Sequence, residues 1–368
     1  MRGIYVHIPF CVKKCAYCDF YSVPAHDDLI SAYIEAVIKE AHKYERLECQ
    51  TLYLGGGTPS LLGSKNLTVL LSGIYPIFDL RRMVEATIEV NPESATPDLL
   101  KAAKSKGINR ISIGVQSLND TELKSVGRVH SANQATAAVM NAKVAGIKSI
   151  SADLIIGLPE QNWTSLRLSL EALTGLEIQH LSVYCLSLEP GTPLAKNPPK
   201  GLPSDNKQAK LFEQTCDYLD RHKFIHYEIS NFALPGYESQ HNINYWRGGE
   251  YVGLGPSAAS HLNGKRYKNK PDLDAYLKNP TRQIVEEEML SPPEKAAEEA
   301  MLRLRLLEEG LDTEEMVKKF GEENIKPLIR RIQQLVINGS LLREDTRYRL
   351  NPSRVLTSNP ILAKVLGD

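Results

Sequence analysis

The chain has 368 residues, with 44 Lys plus Arg against 44 Asp plus Glu, and is 42% hydrophobic and 24% charged. This composition lies in the ordinary globular range and excludes disordered, collagen-like and low-complexity classes. A formal net charge of zero gives no electrostatic reason to expect nucleic acid as a partner, and the length points to one large domain plus a smaller one.

In chain order, Gly3–Ile8 reads as a strand, and from Asp27 to Lys43 the positions Leu29, Tyr33, Ile34, Val37, Ile38 and Ala41 recur at helical spacing. Thr51–Leu54 predicts a second strand, followed by Gly55-Gly56-Gly57 and a helix through Leu67, Leu70, Leu71 and Ile74. Thr87–Val90 predicts a third, after which Thr96-Pro97-Asp98 has the form of an N-cap, a first-turn proline and a dipole-favoured acid. Arg110–Gly114, Ser149–Ile156 and His180–Leu186 complete six strands separated by helical stretches. Such alternation implies a parallel sheet with crossover helices, either doubly wound or closed toward a barrel. In both architectures sites form at the C-terminal strand ends. Cys11 to Cys18, Gly55 to Pro59, Glu89 with Asn91, Gln116 and the 187–193 loop all fall there.

After Leu202 the pattern loosens into a helix at Asp205–Arg221 and then aromatic and glycine-rich segments to Pro280. Helical patterns resume at 293–309, 312–320 and 324–338, followed by strand-like Leu341–Glu344 and Tyr348–Leu350, the order of a winged-helix module. From Thr281 onward there are 14 Lys/Arg against 16 Asp/Glu, the wrong sign for a phosphate-binding surface, so a structural or docking role is expected.

The longest uncharged apolar stretch, Leu67 to Phe78, contains Ser72, Gly73 and Pro76 and falls short of the roughly 18 apolar residues of a membrane span. Met1-Arg2-Gly3 runs straight into a strand without the form of an export signal, so a cytoplasmic chain with reduced thiols is expected. Cys49, Cys185 and Cys216 lie in apolar segments and read as small core residues. Cys11-Val-Lys-Lys-Cys15-Ala-Tyr-Cys18 is different, because three soft ligands that close together suit a metal centre. Structural zinc usually takes four ligands, and neither His7 on the preceding strand nor His26 beyond Pro24 is a natural fourth. A four-iron cluster held by three cysteines leaves one iron open to an exchangeable molecule. Lys13 and Lys14 would offset part of its charge. Gly55-Gly56-Gly57-Thr58-Pro59 lacks the Lys-Ser/Thr of a phosphate loop; its glycines serve either a tight turn or close approach of backbone to a ligand.

A Cys-x3-Cys-x2-Cys loop after the first strand resembles the radical S-adenosylmethionine superfamily. There, the open iron is chelated by the amino and carboxylate groups of S-adenosylmethionine. Tyr5-Val-His-Ile-Pro-Phe-Cys11, with Gly55 to Pro59, resembles more narrowly the oxygen-independent coproporphyrinogen III oxidase-like branch, over almost the whole chain. The resemblance implies an α/β fold, with a partial (β/α)6 TIM-type barrel over 1–235, a connecting region over 236–280 and an α-rich, winged-helix-like C-terminal domain over 281–368. It also implies a 4Fe-4S cluster on Cys11, Cys15 and Cys18, and S-adenosylmethionine contacts from Tyr5, Tyr17, Gly56, Gly57, Thr58, Glu89, Gln116, Arg128 and Asp153. In chemical terms Arg128 suits a carboxylate, Glu89 or Asp153 an ammonium or ribose hydroxyls, and Gln116 a sugar hydroxyl. Apart from the resemblance, each would read as a solvated or capping residue.

Two functions compete within the branch. One is the oxidase, which removes two propionate carboxyls from coproporphyrinogen III by radical chemistry; the other is a heme chaperone, which binds heme and passes it to acceptor proteins. The oxidase pattern is Cys-x3-Cys-x2-Cys-x-Cys, whereas Cys18-Asp19-Phe20 places phenylalanine at the extra cysteine. The oxidase also carries an N-terminal arm, whereas only four residues precede Tyr5. His241-Asn242-Ile243-Asn244-Tyr245-Trp246 matches the chaperones' His-Asn-x-x-Tyr-Trp, and Ala16 stands where they often carry proline. An imidazole is a good axial ligand to heme iron, and Tyr245 and Trp246 offer flat apolar surface; a lone histidine beside aromatics would otherwise read as packed. The resemblance therefore implies a chaperone with heme near His241. The cluster and S-adenosylmethionine would act structurally or as a gate, in transfer or in forming a homodimer. The acceptor is unidentified. One in a respiratory chain would bring the protein to a membrane surface, although no basic amphipathic helix announces this. Because the cluster loop is intact, coproporphyrinogen III dehydrogenase activity is the alternative.

Overall fold

The computed structural model describes residues 1–367. Its frame is a twelve-stranded sheet. Six strands run parallel in chain order: β1 (Arg2–Ile8), β2 (Thr51–Gly56), β3 (Glu85–Val90), β4 (Arg110–Gln116), β5 (Ser149–Ile156) and β6 (His180–Cys185). The crossovers are α1 (Asp27–Ala41), α2 (Gly63–Ile74), α3 (Pro97–Ser105), α4 (Ala132–Val144) and α5 (Trp163–Gly175). A doubly wound sheet would reverse its strand order at a switch point; this order never reverses, as in a barrel. The six-unit partial barrel and the helical C-terminal region agree with the sequence reading.

Both edges are extended. After α6 (Asp205–Arg221), β7 (Ile225–Glu228) and β8 (Asn231–Ala233) add antiparallel strands beside β6. At the other edge β9 (Glu250–Leu254) lies parallel to β1, and β10 (Ala259–Leu262), β11 (Lys265–Asn269) and β12 (Ile284–Glu288) continue antiparallel. Residues 236–280, read from sequence as a connecting region, thus hold α7 (Gln240–Trp246) and three strands of the main sheet.

Strand alternation sorts two faces. Ile4, Val6, Ile8, Leu52, Leu54, Ile88, Ile111, Ile113, Leu154 and Val183 join the main apolar core. The alternate positions carry Tyr5, His7, Tyr53, Glu85, Glu89, Arg110, Ser112, Asp153, His180 and Ser182, and parallel register pairs Tyr5 with Tyr53, Glu89 with Ser112 and Asp153 with Ser182. A barrel filled for stability alone carries branched apolar side chains inside. This interior is polar, which places hydrogen-bonding groups around an enclosed space.

The C-terminal module has α8 (Pro292–Arg303), β13 (Leu311–Asp312), α9 (Thr313–Phe320), α10 (Glu322–Ile337), β14 (Leu341–Glu344) and β15 (Arg347–Leu350), with sheet order β13-β15-β14. The helix expected over 293–309 ends at Arg303. Leu307 donates its backbone N–H to the Tyr227 carbonyl at 3.0 Å and Leu306 bridges Glu228, so pairing with the edge of the main sheet replaces the last helical turns. A further helix, α11 (Ser358–Leu366), packs on α8 and α10. Among the described residues no helix is long and apolar enough to cross a membrane.

Candidate cluster and cofactor site

The cysteine loop leaves β1 and is closed at its base. Phe10–Cys11 pairs with Val23–Pro24, Val23 N–H donates to the Pro9 carbonyl at 2.7 Å, and Ala25 N–H donates to that of Cys11 at 3.3 Å. Ala16 N–H donates to the Val126 carbonyl at 3.3 Å, a bond that proline at this position could not make. Cys11, Cys15 and Cys18 are free thiols, each half-buried, and burial pushes the Cys18 thiol above its ordinary value. Among the described residues no three metal-ligating side chains converge as a single-ion site requires. Three thiols on one loop are one short of the four ligands of structural zinc, and they suit a four-iron cube, which takes its thiolates on separate irons and leaves one iron open.

The glycine segment leaves β2 directly beneath this loop. Gly56 has φ of +112°, and a Cβ on Gly57 would stand 2.7 Å from the Phe10 carbonyl oxygen and 3.1 Å from Cys11 Sγ. Glycine here brings backbone against the cysteine loop, which any side chain would prevent. Gly57 N–H and Thr58 N–H donate to the carbonyls of Ile8 and Phe10, at 2.8 and 2.7 Å, and Thr58 Oγ1 lies 3.5 Å from Cys11 Sγ.

Arg128 reaches the loop from the far side. Its Nη1 lies 3.5 Å from Cys15 Sγ, and its Nη2 donates to Asn91 Oδ1 at 3.0 Å and to the Gly114 carbonyl at 2.9 Å. Its Nε is buried without a partner, a donor that an added acceptor such as a carboxylate would satisfy. Gln116 ends β4 with φ of +64°, a left-handed backbone for a non-glycine residue at a register irregularity. Tyr17 packs against Val126, Ile155 and Leu158.

Inside the barrel mouth, Tyr53 donates to Glu89 Oε1 at 2.7 Å and Gly56 N–H to Oε2 at 3.3 Å. Burial, against these two donors and helped by nearby Asp153, lifts the Glu89 carboxyl to about 7. Burial also raises Asp153, which accepts from Ser112 at 3.1 Å. Tyr5 adjoins this group through Tyr53, with its hydroxyl 3.1 Å from His7 Nδ1. Gly57, Thr58 and Arg128 thus reach the cysteines themselves and Gly56 ties the glycine segment to Glu89, whereas Tyr5 and Asp153 lie at mid-strand, deeper in the barrel, and Gln116 stands at the end of β4.

His241 stands apart from them. Its ring packs beside Gly3 and Thr51, at the starts of β1 and β2, so α7 plugs the end of the barrel opposite the cysteine loop. Glu85 anchors the plug by accepting from Gln240 N–H at 2.9 Å and His241 N–H at 3.1 Å. The imidazole is 1% exposed and stacks on Tyr53 with centroids 5.1 Å apart. Nδ1 bonds Thr51 Oγ1 and Nε2 bonds the Tyr245 hydroxyl, both at 2.8 Å. The expectation of an imidazole offered to heme iron is thus modified: in this conformation no ring nitrogen is open, and His241 is a strut. Above it a polar cavity of about 40 Å³, bounded in part by Glu89, Arg110, Asp153, His180 and Asn242, admits water-sized molecules and not a porphyrin.

Several participants escape sequence reasoning about the site. Glu85, Ser112 and Ser182 carry a readable signal, polar residues at alternate positions of otherwise apolar strands. The contacts of Asn91 with Arg128 and Thr58 carry none, because three separate loops meet there.

A model of the radical SAM superfamily matches residues 5–173. The chain is 37% identical to the heme chaperone HemW of Lactococcus lactis subsp. lactis, across 100% of this chain and 98% of that one. It is 32% identical to HemW of Bacillus subtilis across the full length of both, and 39% identical to HemW of Escherichia coli across 70% and 69%. Among solved structures, the coproporphyrinogen III oxidase HemN of Escherichia coli, a radical SAM enzyme, superposes with a TM-score of 0.84 over 99% of this chain and 89% of that one. At 22% identity this is a likeness of fold.

Proposed function

This chain belongs to the HemW family of the radical S-adenosylmethionine superfamily, and we propose on that premise that it is a heme chaperone, binding heme and handing it to an acceptor protein. The observation that carries this reading is the similarity to the Lactococcus chaperone along the whole of both chains, through α7 and the C-terminal module as well as the barrel.

Superfamily membership implies a 4Fe-4S cluster and S-adenosylmethionine. We assign the cluster to Cys11, Cys15 and Cys18; when bound, the pair supplies one-electron chemistry at an open iron. Around it, the backbone at Gly56, Gly57 and Thr58 would approach the methionine amino group, and the unpartnered Nε of Arg128 would meet the carboxylate. Glu89 and Asp153 would accept from an ammonium or ribose hydroxyls, Gln116 would meet a sugar hydroxyl, and Tyr5 and Tyr17 would bound the site. Oxidase turnover is not expected, because Phe20 occupies the position of the oxidase's additional cysteine.

Heme ligation by His241 requires Tyr245 to release Nε2, and so belongs to an opened form of α7. An anaerobic heme titration of the wild type, His241→Ala and Tyr245→Phe tests this. A saturable single heme on the wild type, a Soret band lost or moved in His241→Ala and tighter binding by Tyr245→Phe support it. Unchanged binding in His241→Ala moves the heme site elsewhere. Complete S-adenosylmethionine-dependent conversion of coproporphyrinogen III to protoporphyrinogen IX would overturn the chaperone reading.

A further inference from the structure

A continuous run of polar contacts joins two of the three cysteines. Arg128 Nη1 lies 3.5 Å from Cys15 Sγ, its Nη2 lies 3.0 Å from Asn91 Oδ1, Asn91 Nδ2 lies 3.1 Å from Thr58 Oγ1, and Thr58 Oγ1 lies 3.5 Å from Cys11 Sγ. Its direction follows from what each group can do. A guanidinium only donates, so the amide must turn its oxygen to Arg128 and its NH2 to Thr58. The Thr58 oxygen is then occupied as an acceptor, and its hydroxyl hydrogen is free to point at Cys11. A thiolate that ligates iron has no hydrogen to give, so the Thr58–Cys11 bond runs only from oxygen to sulfur.

We propose that Asn91 is a positioning residue that fixes the polarity of an Arg128–Asn91–Thr58 chain, so that the Cys11 sulfur receives the Thr58 hydroxyl as a donor, beside the Arg128 donor that Cys15 has in either case, and that this donor tunes the potential of the bound cluster. Donors to the cysteine sulfurs stabilise the more negative, reduced cluster and raise its reduction potential. Asn91 is itself held, its backbone N–H donating to Ser60 Oγ at 3.2 Å, so the relay is tied to the short helical turn after the glycine segment. The inference rests on the assignment of the cluster to these cysteines.

The test is an EPR-monitored redox titration of the reconstituted full-length protein without S-adenosylmethionine, with iron and sulfide measured on every sample. Thr58→Val removes the hydroxyl without adding charge and should move the midpoint to more negative potential; Thr58→Ser should restore it. Asn91→Asp offers Thr58 only an acceptor, turning its hydroxyl away from Cys11. It should also lower the midpoint, by less in the Thr58→Val background than alone. A wild-type midpoint in Thr58→Val, or fully additive shifts, overturns the relay. Resonance Raman of the wild type gives an answer even if the variants take up no cluster. Iron–cysteine stretching bands that shift in D2O support sulfur-directed donors, and bands that do not shift overturn them. Absence of iron and sulfide from the wild type would instead sink the cluster assignment itself.

Discussion

The Nε2 of His241 lies 2.8 Å from the hydroxyl of Tyr245, one turn further along α7. The motif thus satisfies its own histidine, while Thr51 at the head of β2 holds the other ring nitrogen. Whatever reaches this imidazole must compete with two short hydrogen bonds and displace a helix anchored by Glu85.

That arrangement separates a strut from a ligand. His241→Ala empties a buried site and should cost about 2–4 kcal/mol in urea unfolding of the heme-free protein. Tyr245→Phe loses one hydrogen bond and should cost about 1 kcal/mol while binding heme more readily. Weaker heme binding by Tyr245→Phe would show that the hydroxyl serves the bound state instead.

The two ends of the barrel should respond to pH in opposite senses. Burial lowers the His241 imidazole to about 3 from its ordinary 6.5. Between those values the unfolded chain binds a proton that the folded one does not, so stability falls as pH drops through that window. Glu89 is raised from 4.5 to about 7. Here the folded chain keeps a proton the unfolded one has lost, and folding is increasingly opposed as pH rises, fully so above about 7. Thermal unfolding of Glu89→Gln should therefore gain most over wild type near pH 8 and least near about pH 4.5. The same gain at both would contradict the shift.

Gly57→Ala is expected to disturb the cysteine loop itself. Its Cβ would meet the Phe10 carbonyl oxygen at 2.7 Å and the Pro9 carbonyl carbon at 3.0 Å, both backbone atoms that yield only if the loop moves. A cost of about 1–3 kcal/mol and reduced iron uptake on reconstitution should follow. Full iron content at wild-type stability would show the contact to be harmless.

The C-terminal module meets the same motif from outside. The Arg305 guanidinium lies 4.3 Å from the Trp246 ring centroid, and Arg247 pairs with Glu309. Arg305→Ala should lose about 1–2 kcal/mol and speed hydrogen exchange across 304–310, where the chain pairs with β7. Unchanged exchange there would mean that the module docks without this contact.

Much was legible in the residues alone because it is local. Six β/α units follow from short-range periodicity, and most observed strand and helix ends lie within two or three residues of the expected ones. The cysteine loop follows from its spacing, and the role of the glycine segment beside it from the resemblance to the superfamily. Through that resemblance, Phe20 and the His-Asn-x-x-Tyr-Trp string are enough to favour chaperone over oxidase. The C-terminal strands of the main sheet were not legible, because β10 and β11 are short and largely polar, and are stabilised by neighbours more than by their own pattern.

Only the tertiary structure decided where α7 sits. The strand order already puts Cys11 at the C-terminal strand ends, but nothing in the sequence shows that His241 seals the opposite ends. Nor does it show that Asn91, read as a neighbour of Glu89, faces Arg128 and Thr58 instead. Hydrogen-bond partners of buried polar groups are set by where separate loops meet, and desolvation there gives a histidine or a glutamate its protonation state. The chain's own residues determine what chemistry is on offer, and closure of the barrel determines which of it is within reach.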